Sequence, residues 1–277
     1  MIWGYALIWP GQFLAADPDP LLARLKFLAH YGLHSTGVGL GQLAICDDAK
    51  LARVGQLVNQ HDLALTLIAH LPYFEPNLDV VRSAVDVALE QIARFREIVH
   101  CPLVHTGVGD GYHRFLRQPS LEWQIERLAT VLPWLVDGCR KLGLPFGIEN
   151  HGDYYLSDLV GLCQRVPGLG IFLDTGNCFL VGETPLPAFT LAAPYVVGGH
   201  FKDHHVQPCL DASPLHFEIG NAVIGEGDVP LRECYALLKE RCPNFAQLVM
   251  QIELIPPNDR DMTESFEKSL AFVRSLA

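Results

Sequence analysis

The sequence predicts an α/β fold, a closed (β/α)8 TIM barrel, on three observations. The chain has 277 residues, close to the length of about 250 residues that is typical of such a barrel. Hydrophobic residues make up 49% of the chain and charged residues 18%, which is enough for one large core. Short apolar runs alternate with longer amphipathic segments, and no linker or charge block interrupts them. We therefore expect a single domain spanning residues 1–277.

Eight apolar runs are the strand candidates. Short continuous apolar runs are typical of parallel strands that helices cover. Eight such units favour a closed barrel over an open doubly wound sheet. In chain order, the runs are IWGYALIW (2–9), STGVGL (35–40), LALTLIAH (63–70), PLVHTG (102–107), PFGIEN (145–150), LGIFLD (169–174), YVVGGHF (195–201) and QLVMQIEL (247–254).

The segments between these runs carry helix signals. Residues 17–32 have prolines early and Gly32 at the end, as helices often do. Residues 78–99 repeat apolar positions at intervals of three and four. Residues 120–143 open with Ser120, an N-cap candidate, and close with Gly143. Eight helix candidates thus alternate with the eight strand candidates.

The net charge and the cysteine content limit which binding partners and which cellular compartment we expect for the protein. The net charge is −11, and an acidic surface repels phosphate backbones, so we expect no nucleic acid partner. The eight cysteines form no C-x-x-C motif. We expect these cysteines to be reduced and to act as small apolar residues. The opening segment lacks a basic leader and no run reaches membrane-spanning length, so we expect a cytoplasmic protein without membrane contact.

Ionisable residues end six consecutive strand candidates. In a barrel, the active site forms where the strands end and the loops to the helices begin. Because these ends meet at one rim, the side chains are expected to converge there. The six residues are His70, His105, Glu149, Asp174, His200 and Glu253.

Each of these residues also has a structural interpretation. Asp174 is a candidate N-cap of the following helix, and His70 and His105 are candidate core histidines. Three carboxylates and a histidine on adjacent strands, however, would repel one another without a cation. Carboxylates with one imidazole, His200, suit a divalent ion such as Mn²⁺, Mg²⁺, Co²⁺ or Zn²⁺. The set therefore predicts one metal ion that activates a carbonyl compound.

Four short motifs, GIEN, FLDTGN, GHFKD and IEL, stand in this order on the last four strand candidates. This ordered set resembles the xylose isomerase-like TIM barrel superfamily, in which sugar phosphate isomerases and epimerases occur. GEGDVP, at residues 225–230, is similar to the family's segment before the seventh helix. The resemblance covers nearly the whole chain. It is also compatible with a homo-oligomer, because family members often associate.

The resemblance implies roles for individual residues. It implies that Glu149, Asp174, His200 and Glu253 bind one divalent metal ion, and that Glu149 and Glu253 also act as the catalytic acid/base pair. We expect substrate contacts from His70 and His105, from Asn177, which stands where many relatives carry histidine, and from Lys202, which the resemblance suggests as a ligand of a substrate oxygen. An aromatic side chain beside a sugar ring is common, so Trp9 is a further candidate.

These roles predict an isomerase or epimerase, in carbohydrate metabolism, of a small sugar or hydroxy-ketone, working by proton transfer next to a metal-bound carbonyl. The alternative is a metal-dependent dehydratase of an inosose- or dehydroshikimate-like substrate. An apurinic endonuclease-like phosphodiesterase is disfavoured, because Asn177 replaces a histidine of that branch. A non-catalytic sugar-binding barrel is disfavoured as well, since it has little use for a charged ligand cluster.

One segment lacks any helix or strand signal. We expect residues 202–225 to form a long loop that covers the site or contacts a second subunit. His204 and His205 fall in this segment, and we expect both to be solvated.

Overall fold

The computed structural model describes residues 1–6, 17–109, 111–211 and 216–276, and it confirms the closed barrel. The strands in these ranges are β1 (Ile2–Tyr5), β2 (Ser35–Gly39), β3 (Ala64–Ile68), β4 (Val104–Thr106), β5 (Phe146–Glu149), β6 (Leu169–Asp174), β7 (Val196–Phe201), β8 (His204–Cys209), β9 (His216–Asn221) and β10 (Val249–Ile252). Eight of them are parallel and close in the order β1-β10-β7-β6-β5-β4-β3-β2, and every apolar run named above contains one of these eight.

Helices follow the barrel strands and form the outer layer. In the described part of the chain they are α1 (Pro20–Tyr31), α2 (Leu40–Ala44), α3 (Asp48–Gln60), α4 (Leu78–Arg96), α5 (Leu121–Lys141), α6 (Leu156–Arg165), α7 (Asn177–Leu180), α8 (Pro185–Ala192), α9 (Leu231–Arg241) and α10 (Met262–Arg274). Two single-turn 3₁₀ helices, Ala193–Tyr195 and Phe245–Gln247, precede β7 and β10.

The predicted helix ends are confirmed. The hydroxyl of Ser120 accepts a hydrogen bond from the backbone N–H of Trp123 and caps α5. Gly32 and Gly143 follow their helices with φ of 65° and 72°, the left-handed region that favours glycine. Asp19 adds a cap at the start of α1, where its carboxylate accepts from the N–H groups of Leu21 and Leu22.

The barrel closes where β1 meets β2. Gly4 pairs with Ser35, and a Cβ atom on Gly4 would lie 2.2 Å from the carbonyl oxygen of Ser35. Only a glycine permits this approach. Outside this seam, the Tyr5 ring packs 5.6 Å from Phe27 of α1 and 4.9 Å from Phe266 of α10. The two helices therefore cover the strand on which closure depends.

The segment from Lys202 to Gly225 is not the predicted long loop. Strands β8 and β9 pair antiparallel in it, from His204 opposite Asn221 to Cys209 opposite His216. The prediction was wrong because these strands carry exposed polar residues, so they lack the apolar run that reveals a barrel strand. The hairpin β8–β9 leaves the barrel directly after β7.

His204 is also not solvated as expected. It is buried, and its Nδ1 lies 3.1 Å from the carbonyl oxygen of Gly220 on the partner strand. His205 is exposed, as predicted. The two neighbours differ because successive strand residues point to opposite faces of the hairpin.

The helices within the described ranges include none with both the length and the apolar character needed to cross a membrane.

Candidate functional site

Four ionisable side chains meet at the carboxyl ends of four neighbouring strands. Glu149 ends β5, Asp174 ends β6, His200 lies near the end of β7, and Glu253 directly follows β10. One ligand atom of each lies within 4.8 Å of all the others. The structure thus brings together the four residues for which the sequence analysis predicted metal binding. We call these four residues the rim cluster.

The imidazole of His200 lies at the centre of the rim cluster. Its Nδ1 is 2.8 Å from Glu253 Oε2, 3.3 Å from Glu149 Oε1 and 3.7 Å from Asp174 Oδ2. Burial lowers the pKa of His200, but the negative charges of Glu149 and the other two carboxylates outweigh burial and hold the pKa well above its ordinary value. The carboxylates therefore stabilise a positive charge at this point.

Asp174 is both a helix cap and a member of the cluster. Its Oδ1 accepts hydrogen bonds from the backbone N–H groups of Gly176 and Asn177, at 2.8 and 3.1 Å. Its Oδ2 is buried without a hydrogen-bond partner and faces the cluster. Burial and the nearby charge of Glu253 raise the pKa of Asp174 to about 6. The two interpretations of Asp174 are therefore compatible, because each uses a different oxygen.

The two glutamates of the rim cluster are held ionised. Burial raises the pKa of Glu149, but the positive charge of the nearby His200 outweighs burial, so the net shift is downward. For Glu253, burial again raises the pKa, and His200 together with Lys202 lowers it strongly. Both carboxylates are therefore available as ligands or as proton acceptors at neutral pH.

Lys202 is an ammonium group bound to the cluster. Its Nζ donates to Glu253 Oε1 at 2.9 Å and to Asn177 Oδ1 at 3.3 Å, and lies 3.8 Å from Asp174 Oδ2. Burial lowers the pKa of Lys202, but the charges of Asp174 and Glu253 outweigh it and raise the pKa. Lys202 therefore remains charged and compensates one of the three carboxylates.

The Asn150 side chain joins β5 to β6 below the cluster. Its Nδ2 donates to the carbonyl oxygen of Asp174 and its Oδ1 accepts from the N–H of Asp174, both at 2.8 Å. The Asn177 amide donates to the carbonyl oxygen of Asn150 at 2.9 Å. The two amides thus fix the backbone of Asp174 and, through Lys202, the position of Glu253.

A cavity of about 300 Å³ opens on the rim cluster. Glu149, His200 and Glu253 line it, and so do two of the predicted substrate contacts, His70 and His105. Asn177 and Lys202 contact the cluster but are not among the described residues that line the cavity. Trp9 lies outside the described residues.

His105 forms part of the cavity floor. Its ring stacks on Phe172 with centroids 3.7 Å apart and an interplanar angle of 6°. Its Nε2 lies 3.4 Å from Thr66 Oγ1, and its buried Nδ1 lies 3.9 Å from Glu149 Oε2 without a hydrogen bond. Burial lowers the pKa of His105 to about 3, so the imidazole is neutral. A neutral ring nitrogen at this place suits a hydrogen bond to an uncharged group.

Two cavity residues were missed by the sequence analysis. His151 follows the GIEN motif directly, and the analysis took only Glu149 from that strand end. Gln251 lies two residues before Glu253, so both point to the same face of β10, and this alternation could have identified it. Its Nε2 donates to the hydroxyls of Ser35 and Thr66, while its buried Oε1 has no partner.

The rim cluster fits a divalent cation. Without an ion, three carboxylates face the charges of Lys202 and a protonated His200, and burying the remaining negative charge is costly unless a cation compensates it. The unpartnered Asp174 Oδ2 supplies a lone pair for that cation. Oxygen donors with one imidazole are typical ligands of Mg²⁺, Mn²⁺ and related ions. The molecule thus belongs to the class of (β/α)8 barrels with a candidate metal centre at the carboxyl ends of the strands.

The family of the chain follows from its sequence match. The model of the family described as xylose isomerase-like TIM barrel matches residues 26–276. The chain belongs to this family, as its four motifs predicted.

Solved structures share the fold over nearly the whole chain. D-psicose 3-epimerase from Clostridium cellulolyticum H10, solved with D-tagatose, superposes with a TM-score of 0.72 at 14% identity and covers 100% of this chain and 98% of its own. The probable 3-DHS dehydratase AsbF from Bacillus anthracis has a TM-score of 0.69 at 15% identity, covering 100% and 98%. A xylose isomerase-like TIM barrel protein from Mycobacterium smegmatis, in complex with magnesium, has a TM-score of 0.66 at 16% identity, covering 93% and 89%.

A curated relative carries out a third reaction. The 3-oxo-isoapionate decarboxylase of Pectobacterium atrosepticum is 23% identical over 206 residues, which cover 72% of this chain. The match spans 66% of that relative's length, just under two thirds. Three of the four proteins named above are therefore described by a reaction, as an epimerase, a probable dehydratase and a decarboxylase.

Proposed function

We propose that the protein is a divalent-metal-dependent isomerase or epimerase of a small sugar or hydroxy-ketone. The observation that carries this proposal is the convergence of Glu149, Asp174, His200 and Glu253 within 4.8 Å beside a cavity. These four residues would hold the ion. Because these ligands are mostly carboxylate oxygens, they favour Mn²⁺ or Mg²⁺ over softer ions, and Co²⁺ and Zn²⁺ are the other candidates.

When bound, the ion would polarise the substrate carbonyl and make the proton on the neighbouring carbon easier to remove. Glu149 and Glu253 would take and return that proton. Both line the cavity, both are held ionised, and their strands are separated by β6 and β7, so they reach the substrate from different directions. Epimerisation needs such a pair, because the proton leaves one face of the carbon and returns to the other.

The cavity would select a small polar substrate. About 300 Å³ is at the lower end of the usual size of ligand sites. His70 and the neutral His105 would hydrogen-bond substrate hydroxyls, and His151 would face them from the neighbouring strand end. A sugar or polyol ketone offers hydroxyls in the number that these polar groups can bind.

A dehydratase is the second candidate function, and the position of Lys202 favours it. Removal of a proton next to a carbonyl can be followed by loss of water from the next carbon. That step needs an acid near the base, and the Lys202 ammonium lies 2.9 Å from Glu253 Oε1. The probable dehydratase and the decarboxylase named above are also similar to this chain, the first in structure and the second in sequence.

Isotope exchange tests the proposal. Protein loaded with Mn²⁺ would be incubated in D₂O with D-tagatose, D-fructose and 3-dehydroshikimate, and the products followed by NMR and mass spectrometry. We expect deuterium on a carbon beside the carbonyl of a ketose, with the mass otherwise unchanged. Loss of one water would instead establish the dehydratase.

Two variants of the rim cluster and one control variant complete this experiment. Glu149→Gln and Glu253→Gln should each abolish exchange, because each removes a proton acceptor and a ligand. Glu126→Gln changes an exposed glutamate of α5 that pairs with Arg165, and it should exchange like the wild type. Exchange that survives both cluster substitutions would show that the rim cluster is not the catalytic site.

A further inference from the structure

A second group of metal-ligating residues lies on the hairpin β8–β9. Cys209 stands directly opposite His216 in the antiparallel register, and Glu218 follows two residues later on the same strand. Directly opposite residues and residues two apart share one face of a hairpin. The three side chains therefore project from the same face. We call them the hairpin group.

Their ligand atoms converge. The Cys209 sulfur, one His216 ring nitrogen and one Glu218 carboxylate oxygen all lie within 4.8 Å of one another. Cys209 is half-buried, whereas His216 and Glu218 are exposed to solvent. An incoming ion can therefore reach His216 and Glu218 directly, without opening the barrel. No residue of the hairpin group belongs to the rim cluster or lines its cavity.

We propose that the hairpin group is a Zn²⁺ site with Cys209, His216 and Glu218 as protein ligands. Zinc accepts sulfur, nitrogen and oxygen donors and prefers four ligands, so a water molecule would complete the site. A thiolate disfavours Mg²⁺ and Mn²⁺, which prefer oxygen ligands. The two groups thus select different ions: a hard ion at the rim and a borderline ion on the hairpin.

Zinc would tie together the distal end of the hairpin. The other end is already fixed, because the buried Asp203 carboxylate accepts hydrogen bonds from the N–H groups of Gly225, Gly227 and Val229. At the distal end, the ion would add one link from Cys209 on β8 to His216 and Glu218 on β9. Because Lys202 directly precedes Asp203, the linked hairpin begins beside the rim cluster.

Cobalt substitution tests this proposal, since a thiolate bound to Co²⁺ gives a near-ultraviolet charge-transfer band that oxygen and imidazole ligands do not give. The reduced, metal-free full-length protein would be titrated with Co²⁺ under argon. We expect the band in the wild type, and we expect added Zn²⁺ to abolish it by displacing Co²⁺ from the thiolate. Loss of the band in Cys209→Ser and its weakening in His216→Ala would support the proposal.

A rim variant separates this result from the proposed function. Glu253→Gln should keep the full band, because the rim cluster contains no sulfur ligand, and it should do so whether or not the protein proves to be an isomerase. Absence of the band in the wild type, or its persistence in Cys209→Ser, would overturn the proposal. Circular dichroism establishes that each variant is folded, and His216→Ala provides the second test should Cys209→Ser fail to fold.

Discussion

The rim cluster and the hairpin group present similar numbers of ligands but are built in different ways. The rim ligands come from four strands, between Glu149 and Glu253, and meet only when the whole barrel has closed. The hairpin ligands lie between Cys209 and Glu218 and need only two paired strands. The first group is buried or half-buried, whereas the second is mostly exposed. The free energy of barrel folding therefore assembles the rim cluster, while the hairpin group is assembled locally.

This difference has an electrostatic consequence. Burial raises the pKa of Asp174 to about 6, and neighbouring carboxylates raise the pKa of His200 well above its ordinary value. The raised pKa of Asp174 expresses the cost of holding unbalanced charge away from water, whereas the raised pKa of His200 shows that the surrounding carboxylates attract a positive charge. Exposed ligands such as His216 and Glu218 bear little of this cost, because water solvates them. The pre-organised rim cluster therefore lowers the stability of the metal-free protein, whereas the hairpin group does not.

The largest expected effect is on metal affinity at the rim. Asp174→Asn removes the charge of the unpartnered Oδ2 but keeps an oxygen that can cap α7. We expect the affinity for Mn²⁺ to fall by about 100-fold or more, since even outer-sphere partners of a metal contribute about 10–100-fold. Mn²⁺ titration followed by electron paramagnetic resonance measures this change. The cobalt–thiolate band of the hairpin group should be unaffected, and a loss at both sites would contradict their independence.

The same substitution should stabilise the metal-free protein in a pH-dependent way. The pKa of Asp174 is raised in the folded state to about 6, so the unfolded chain loses this proton at lower pH than the folded one. Stability therefore falls as pH rises through the interval from about 4 to about 6, and the cost is fully present above it. We expect Asp174→Asn to raise the free energy of unfolding by about 3 kcal/mol at neutral pH, with the gain vanishing below about pH 4.

Urea denaturation of chelator-treated protein at several pH values measures this gain. Asp137→Asn is the matched control, because Asp137 is an exposed acid on α5 that pairs with Arg140. Its effect should stay within about 0.5 kcal/mol at every pH. A rim variant that is less stable than the wild type at neutral pH would show that the Asp174 charge is already compensated without an ion.

Much of the barrel could be predicted from the sequence because its signals are local and repeated. Eight apolar runs and their helix caps, such as Ser120 and Gly143, each identify an element, and residues at strand ends indicate which side chains face the rim. His151 and Gln251 were missed because only Glu149 and Glu253 were taken from the ends of their strands. The hairpin was missed because its stability depends on pairing and on the buried Asp203, neither of which leaves a periodic apolar pattern.

An intermediate effect is expected from the buried amide that supports the rim. Asn150→Ala removes both hydrogen bonds to the backbone of Asp174 and leaves those groups without partners. We expect a loss of about 1–3 kcal/mol in stability and about tenfold in Mn²⁺ affinity. Gln124→Ala is the matched control, since Gln124 is a buried amide that binds Pro119 and Tyr154 away from the rim. It should lose stability but keep its Mn²⁺ affinity, and an equal affinity loss in both variants would indicate general unfolding.

The smallest expected effect concerns the hairpin in the absence of metal. Cys209→Ser should change the free energy of unfolding of the metal-free protein by no more than about 0.5 kcal/mol, because the hairpin group stores little electrostatic cost. Zn²⁺ should slow amide hydrogen exchange in β8 and β9 of the wild type only, since a ligand that binds the closed hairpin suppresses its local opening. Exchange measured by mass spectrometry with and without Zn²⁺ tests both strands at once. If Cys209→Ser destabilised the metal-free protein as strongly as Asn150→Ala, the hairpin group would belong to the cooperative fold, and its contrast with the rim cluster would not hold.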